Sequence, residues 1–118
     1  VFVNQDDWSA TLEAAINGMY TIQEYIDITP YYPDAMIGCA VWDWQIPLDK
    51  ALEAISEGTF TEFRAQNWEL MLNLEDGSLR IPTWGTVVTE EIQNYVEDLK
   101  QQIIDGTVTV PDIDTWES

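Results

Sequence analysis

From Ala35 to Val41 the apolar residues run without a break and end at Trp42. That length suits a buried strand. A polar-aromatic corner follows, Trp42-Asp43-Trp44-Gln45, and then Leu48, Ala51, Leu52 and Ile55 recur at i, i+3, i+4 and i+7. The spacing predicts a helix with one apolar face, opened by Pro47 at a first helical position and closed by Gly58 as a left-handed C-cap. In open α/β sheets, ligands collect at the loops that follow strand C-termini. Two tryptophans and an acid in such a loop are the sharpest functional signal in the chain.

The flanking segments read by the same rules. Val1 to Asn4 looks like the end of a buried strand, and Gln5 to Ser9 is a polar loop rich in helix-capping types. A helix with Leu12, Ala15 and Ile16 on one face ends at Asn17-Gly18, and Met19 to Ile22 reads as a second strand. This βαβ order favours a parallel sheet. Tyr25 to Asp34 is expected to be irregular, because of Pro30 and Pro33. Thr59 to Ala65 is a connection. Trp68, Leu70, Leu72 and Leu74 then alternate with Glu69, Asn73 and Glu75, which predicts a half-buried strand with Trp68 in the core. Asp76-Gly77 is a tight-turn signal, and Ser78 to Ile81 is expected to return as the hairpin partner. Thr89 caps a last helix, with Glu90 and Glu91 in its first turn and Ile92, Val96, Leu99 and Ile103 as its buried stripe. Val108 and Val110 suit a final short strand before an acidic tail, 111–118. The expected fold is α/β: a mainly parallel sheet with flanking helices and a late β-hairpin.

Composition narrows the function. With 118 residues and 46% hydrophobic content the chain is long and apolar enough for one packed domain. No apolar stretch approaches the roughly 20 residues that span a bilayer. The chain opens inside a strand without an initiator Met, so a fragment or a processed product is expected. Twenty-two acids face four basic residues, a net charge of −18. Nucleic acid is a poor partner for such a surface, because phosphate contacts need basic groups. The acids suit a soluble, self-repelling surface or adaptation to high salt. The spacing of a calcium loop is absent. Cys39 is alone inside the apolar run and reads as structural. There is no His, which removes Ser-His and Cys-His catalysis and most zinc sites. Neither a catalytic residue nor a metal or other cofactor is expected.

The candidate ligand contacts sit at the predicted loops. Trp42 and Trp44 offer stacking faces for a planar ligand, or else close the core; if the segment is extended they point the same way. Asp43 accepts ligand hydroxyls or is merely solvated. Asp27 suits two sugar hydroxyls, or serves as a turn residue. Asn4 and Asp7 lie in the first βα loop, where helix capping is the competing role. Trp8 walls a cleft or staples the helix start. Tyr25, Tyr31 and Tyr32 suit an aromatic rim.

The order of these pieces resembles the C-terminal part of the basic membrane protein family of solute-binding lipoproteins. These are extracytoplasmic receptors of ABC importers, many of which bind purine nucleosides. The resemblance rests on Val1 to Asn4 with Ala14-Ala15, and on Tyr20-Thr21-Ile22 followed by Asp27 and Pro33-Asp34-Ala35. It continues through Val41-Trp42-Asp43-Trp44, Glu57-Gly58-Thr59-Phe60, Gly85 to Ile92, and Ile103 to Thr107. The chain departs from the family's pattern at Gln23 and Tyr25, where the family commonly has Gly and then Asp. It departs again at Trp42, where some nucleoside-binding members carry a lysine. The resemblance implies part of a type I periplasmic-binding-protein-like fold, with 1–110 the C-terminal portion of a two-lobed receptor. It implies a membrane-anchored protein at the periplasmic or cell surface, held by a lipid anchor outside this sequence. Its partners would be a small-molecule ligand, ABC permease subunits and the missing first lobe of the same protein. The residues add that the ligand is planar and uncharged or cationic, with Lys50 the basic residue nearest the corner. Two other readings compete: an acidic extracellular structural or surface-assembly protein without a ligand, and an acid-pair hydrolase, for which no spacing selects a pair.

Overall fold

The computed structural model describes residues 2–3, 7–67 and 71–111. The elements are β1 (Phe2–Val3), α1 (Ser9–Ile16), β2 (Thr21–Tyr25), a 3-10 turn (Thr29–Tyr31), β3 (Met36–Trp42), α2 (Gln45–Ser56), α3 (Phe60–Gln66), β4 (Leu79–Arg80) and α4 (Glu90–Ile104). They divide into two compact units, Val1–Val87 and Val88–Ser118.

The first unit is α/β. Its four strands lie in the order β1-β2-β3-β4. β1, β2 and β3 run parallel, with Phe2 beside Ile22 and Gln23 beside Cys39, while β4 is antiparallel to β3 through Val41–Arg80 and Trp42–Leu79. The parallel part follows from the β1-α1-β2 order, since parallel neighbours need a crossover. Beyond β4 the edge of β3 is covered by the strip Trp84–Gly85: Trp84 bridges Gly38, and the Gly85 N–H donates to the Ile37 carbonyl at 3.0 Å.

The apolar centre is small. Ile28, Met36 and Cys39 are buried, with Tyr32 and Val41 packed against them. Cys39 is a free thiol, and its Sγ accepts from the Ile28 N–H (3.4 Å) and the Thr29 hydroxyl (3.5 Å). Its structural role matches the reading from sequence. A polar pair completes this layer: the Thr11 hydroxyl of α1 donates to Gln23 Oε1 of β2 at 2.7 Å, with both residues buried.

Several sequence expectations need correction. The apolar stripes of α1 and α2 face outward. α1 buries Thr11 and Ala14, whereas Leu12 and Ile16 are exposed; α2 buries Pro47 and Ala54, whereas Leu48, Leu52 and Ile55 are exposed. Periodicity locates an apolar face but does not say what covers it, and here the narrow, small-residue faces are the ones turned inward. α2 starts at Gln45, so Pro47 is its third residue; that is tolerated, because N–H groups in the first turn have no intrahelical acceptor. Pro30 does not break structure but is the second residue of the 3-10 turn, where its fixed φ fits and its missing N–H would have no acceptor within the turn. The second strand is Thr21–Tyr25 rather than residues 19–22.

The late hairpin is also corrected. Residues 71–75 form no strand, and β4 pairs with β3 instead. Local side-chain bonds compete with the ladder there. The Ser78 hydroxyl accepts from the Asn73 N–H (2.8 Å), Asn73 Oδ1 accepts from the Asp76 N–H (2.9 Å), and Asp76 Oδ1 accepts from the Ser78 N–H (3.0 Å). Trp68, Glu69 and Leu70 lie outside the described residues. The connection expected over 59–65 is largely α3, which runs on to Gln66, with Phe60 and Phe63 stacked at 6.3 Å.

The second unit holds α4. Thr89 caps it as expected: its hydroxyl accepts from the Ile92 N–H at 3.4 Å, and Glu90 and Glu91 occupy the first turn. No residue of α4 is buried; Val96, Leu99 and Ile103 are half-buried and Ile92 is exposed, so the expected stripe is only partly covered. Val108 is not in a strand. Its N–H and that of Thr107 donate to the Gln102 carbonyl and close the helix end. Residues 112–118 of the acidic tail lie outside the described residues.

Candidate functional site

The sequence-derived candidates fall into two places in the first unit. One is the carboxyl end of β2 and β3. There the ring of Trp42 meets that of Tyr25 edge to face, with centroids 4.5 Å apart and planes at 62°. Tyr25 has φ 73, and among the described residues it is the one non-glycine at positive φ. The Ile26 N–H donates to the Glu24 carbonyl at 3.0 Å across it. That is a γ-turn centred on Tyr25, in the rarer form with a positive central φ. Such a conformation costs an ordinary side chain about 1–2 kcal/mol and collects at ligand clamps and switch regions.

The charges at this corner differ from the sequence expectation. Asp43 is not a free acceptor: Oδ1 takes the Gln45 N–H at 3.1 Å and steadies the start of α2, while Oδ2 meets Arg80 Nη2 at 2.7 Å. Arg80 also donates to the Gly77 carbonyl at 2.8 Å. The basic residue at the corner is therefore Arg80. Lys50 instead pairs with Asp76 at 2.6 Å, and this partner, with the Ser78 bonds, holds the Asp76 carboxyl well below the usual carboxylate range. Because Asp43 and Arg80 neutralise each other, repulsion of anions cannot come from Asp43. Glu24 is the residue before Tyr25 in β2. Among the described residues its Oε2 is the buried side-chain oxygen without a hydrogen-bond partner.

Trp44 does not share a face with Trp42 by strand alternation. It takes a right-handed helical conformation as the residue before α2 and is largely exposed. Asp27 is occupied internally. Burial raises its pKa, but hydrogen bonds from Thr83, from the Thr29 hydroxyl and N–H and from Cys39 outweigh that and hold it below the ordinary value. Its Oδ1 accepts the Thr29 N–H at 3.0 Å, the turn role weighed from sequence.

The second place is a hollow of about 330 Å³ lined by Asp7, Trp8, Ser9, Leu12 and Tyr32. The loop leaving β1 and the segment between β2 and β3 meet here, and Trp8 stacks on Tyr31 at 6.4 Å and 24°. Asp7 Oδ1 accepts from the Ser9 N–H (2.9 Å) and hydroxyl (2.7 Å), which lowers its pKa and spends one oxygen on the start of α1. Asn4 lies outside the described residues.

Sequence reading did not single out Glu24 or Arg80. Arg80 lies 37 positions from Asp43, and no local pattern pairs them. The positive φ of Tyr25 likewise leaves no local signal. Among the described residues no group of His, Cys, Asp or Glu is placed to hold a metal ion, and no helix is long and apolar enough to cross a membrane. No family model matches the chain, and neither a curated protein nor a solved structure matches it significantly.

Proposed function

We propose that the chain is part of an extracytoplasmic solute-binding receptor of an ABC importer, and that it binds a small planar ligand at the Tyr25–Trp42 corner. The observation that carries this reading is the strained Tyr25 turn, held at the carboxyl end of two parallel strands with its ring against Trp42. A backbone that stores strain and presents an aromatic pair at that end of a sheet is built for contact rather than for stability. Trp42 is the stacking face, and Glu24 is the acceptor for a ligand N–H or O–H. The resemblance in residue order makes a nucleoside or nucleobase the first ligand to try. The type I two-lobed fold, the permease partner and the lipid-anchored location all rest on that resemblance. In the receptor a second lobe would close over the ligand, with the closed state stabilised by binding.

Calorimetry tests the reading. The 118-residue chain should bind nucleosides or bases weakly, because one lobe supplies only part of the contacts. In the two-lobed parent, Trp42→Ala should weaken binding by about 1–3 kcal/mol, the cost of losing an aromatic anchor from a desolvated pocket. Unchanged affinity would move the ligand to the Trp8 hollow or remove it altogether. The alternative, an acidic surface-assembly protein, predicts no small-molecule binding in either form.

A further inference from the structure

We infer that α2 is a docking surface for a cationic amphipathic helix of another protein. This goes beyond the ligand reading and does not depend on it. Trp44, Leu48, Leu52 and Ile55 recur at i, i+4, i+8 and i+11, and they are 47%, 51%, 61% and 55% exposed. They form one ridge along three turns of α2, about 16 Å at 1.5 Å per residue. The buried positions of the helix are Pro47 and Ala54, and the half-buried Ala51 lies between them and the ridge, so the ridge borders the inward face and extends it outward. A run of four large apolar side chains at this spacing has the geometry of a helix-pairing seam, in which knobs from a partner fill the gaps between successive turns.

Charge selects the occupant. Asp49 borders the ridge; it is exposed and forms no ion pair among the described residues, whereas Glu53 lies further round the helix and lines a hollow beside α3 with Ala54. The nearby cation Lys50 is held by Asp76. A second copy of the chain would bring a further −18 against the first, and like charges across an interface oppose association. An anionic lipid surface is disfavoured for the same reason, since helices that lie on membranes carry Lys and Arg beside their apolar face. A partner helix with a leucine-type stripe bordered by Lys or Arg satisfies both the ridge and its acidic border.

The test uses the 118-residue chain and a synthetic peptide with Leu at i, i+4, i+7 and i+11 and Lys at the flanking positions. Binding is measured by calorimetry and mapped by amide shifts in ¹⁵N spectra. Shifts should concentrate at residues 44–56. Leu52→Asp should weaken binding at least tenfold, whereas Ile16→Asp, which adds the same charge at an exposed position of α1, should change it less than twofold. The sign separates the causes: a purely electrostatic complex would be tightened or unaffected by an added acid. Equal effects of the two variants, or shifts spread over the whole acidic surface, overturn the proposal. A peptide with Glu in place of Lys should bind at least tenfold more weakly, and equal binding overturns the charge argument. Light scattering on the free chain should give a monomer; a dimer abolished by Leu52→Asp would assign the ridge to a second copy instead.

Discussion

Gly85 is the position where one added carbon should do the most damage. Its φ is not positive, so backbone freedom is not the issue. The strip Trp84–Gly85 runs so close to β3 that a Cβ at residue 85 would overlap the Met36 carbonyl oxygen and would lie 2.7 Å from its carbon and 2.9 Å from the Pro33 oxygen. None of these is the end of a flexible side chain, so the strip itself has to move. Moving it strains the Gly85 N–H to Ile37 bond (3.0 Å) and the Thr86 N–H to Pro33 bond (2.9 Å). Two bonds at about 0.5–1.5 kcal/mol each and an overpacking cost of about 1–3 kcal/mol give about 2–6 kcal/mol for Gly85→Ala. In a unit of this size that lowers the melting temperature by about 10 °C or more, at 4–8 °C per kcal/mol. Thermal unfolding followed by near-ultraviolet circular dichroism reads the effect. Gly58→Ala is the internal comparison: Gly58 has φ 74 but nothing within 4 Å of an added Cβ, so only the backbone penalty of about 1–2 kcal/mol applies. If Gly85→Ala melts within a degree of the parent, or loses less than Gly58→Ala, the close approach of the strip to β3 is wrong.

Tyr25→Gly removes the strained side chain, so relief of the turn offsets the lost ring contact and the looser unfolded chain; stability should stay within about 1 kcal/mol in urea titration while ligand affinity falls. Thr11→Val deletes the buried donor to Gln23 and should cost about 1 kcal/mol in the same assay. The acid limb follows from Asp27 and Asp76, whose folded pKa values are lowered. Their stabilisation is complete above the unfolded carboxylate value, about 3.9, and is lost as pH falls through the folded values. Urea midpoints should therefore drop below about pH 4, and Lys50→Met should blunt the drop. Between pH 7 and that limb, protonation of other acids relieves the repulsion of the −18 charge; added NaCl should raise the midpoint at pH 7 more than at pH 4.

What the sequence made legible is what local chemistry decides. The unbroken run into Trp42 is β3, the β1-α1-β2 order yields parallel pairing, and Thr89 with two following glutamates starts α4. The partners of those elements were not legible. The Leu48–Ile55 stripe marked a true apolar face but not its exposure, because that depends on which other element reaches it. The period-two pattern of residues 71–75 lost to the short side-chain bonds around Asn73, Asp76 and Ser78, which satisfy the backbone without a ladder. At the corner, Trp42 was legible as an aromatic after a strand. The Asp43–Arg80 pair was not, nor was the γ-turn at Tyr25, since both depend on contacts set by the sheet.

The sheet's two outer strands, β1 and β4, are each two residues long in the described structure. An edge strand is where a foreign chain can extend a sheet through backbone amides, and its reach sets how many such bonds a newcomer makes. Two residues supply too few to hold one in register. Among the described residues, fibril-like stacking and strand donation thus find little template at these edges, even though so much apolar surface is uncovered.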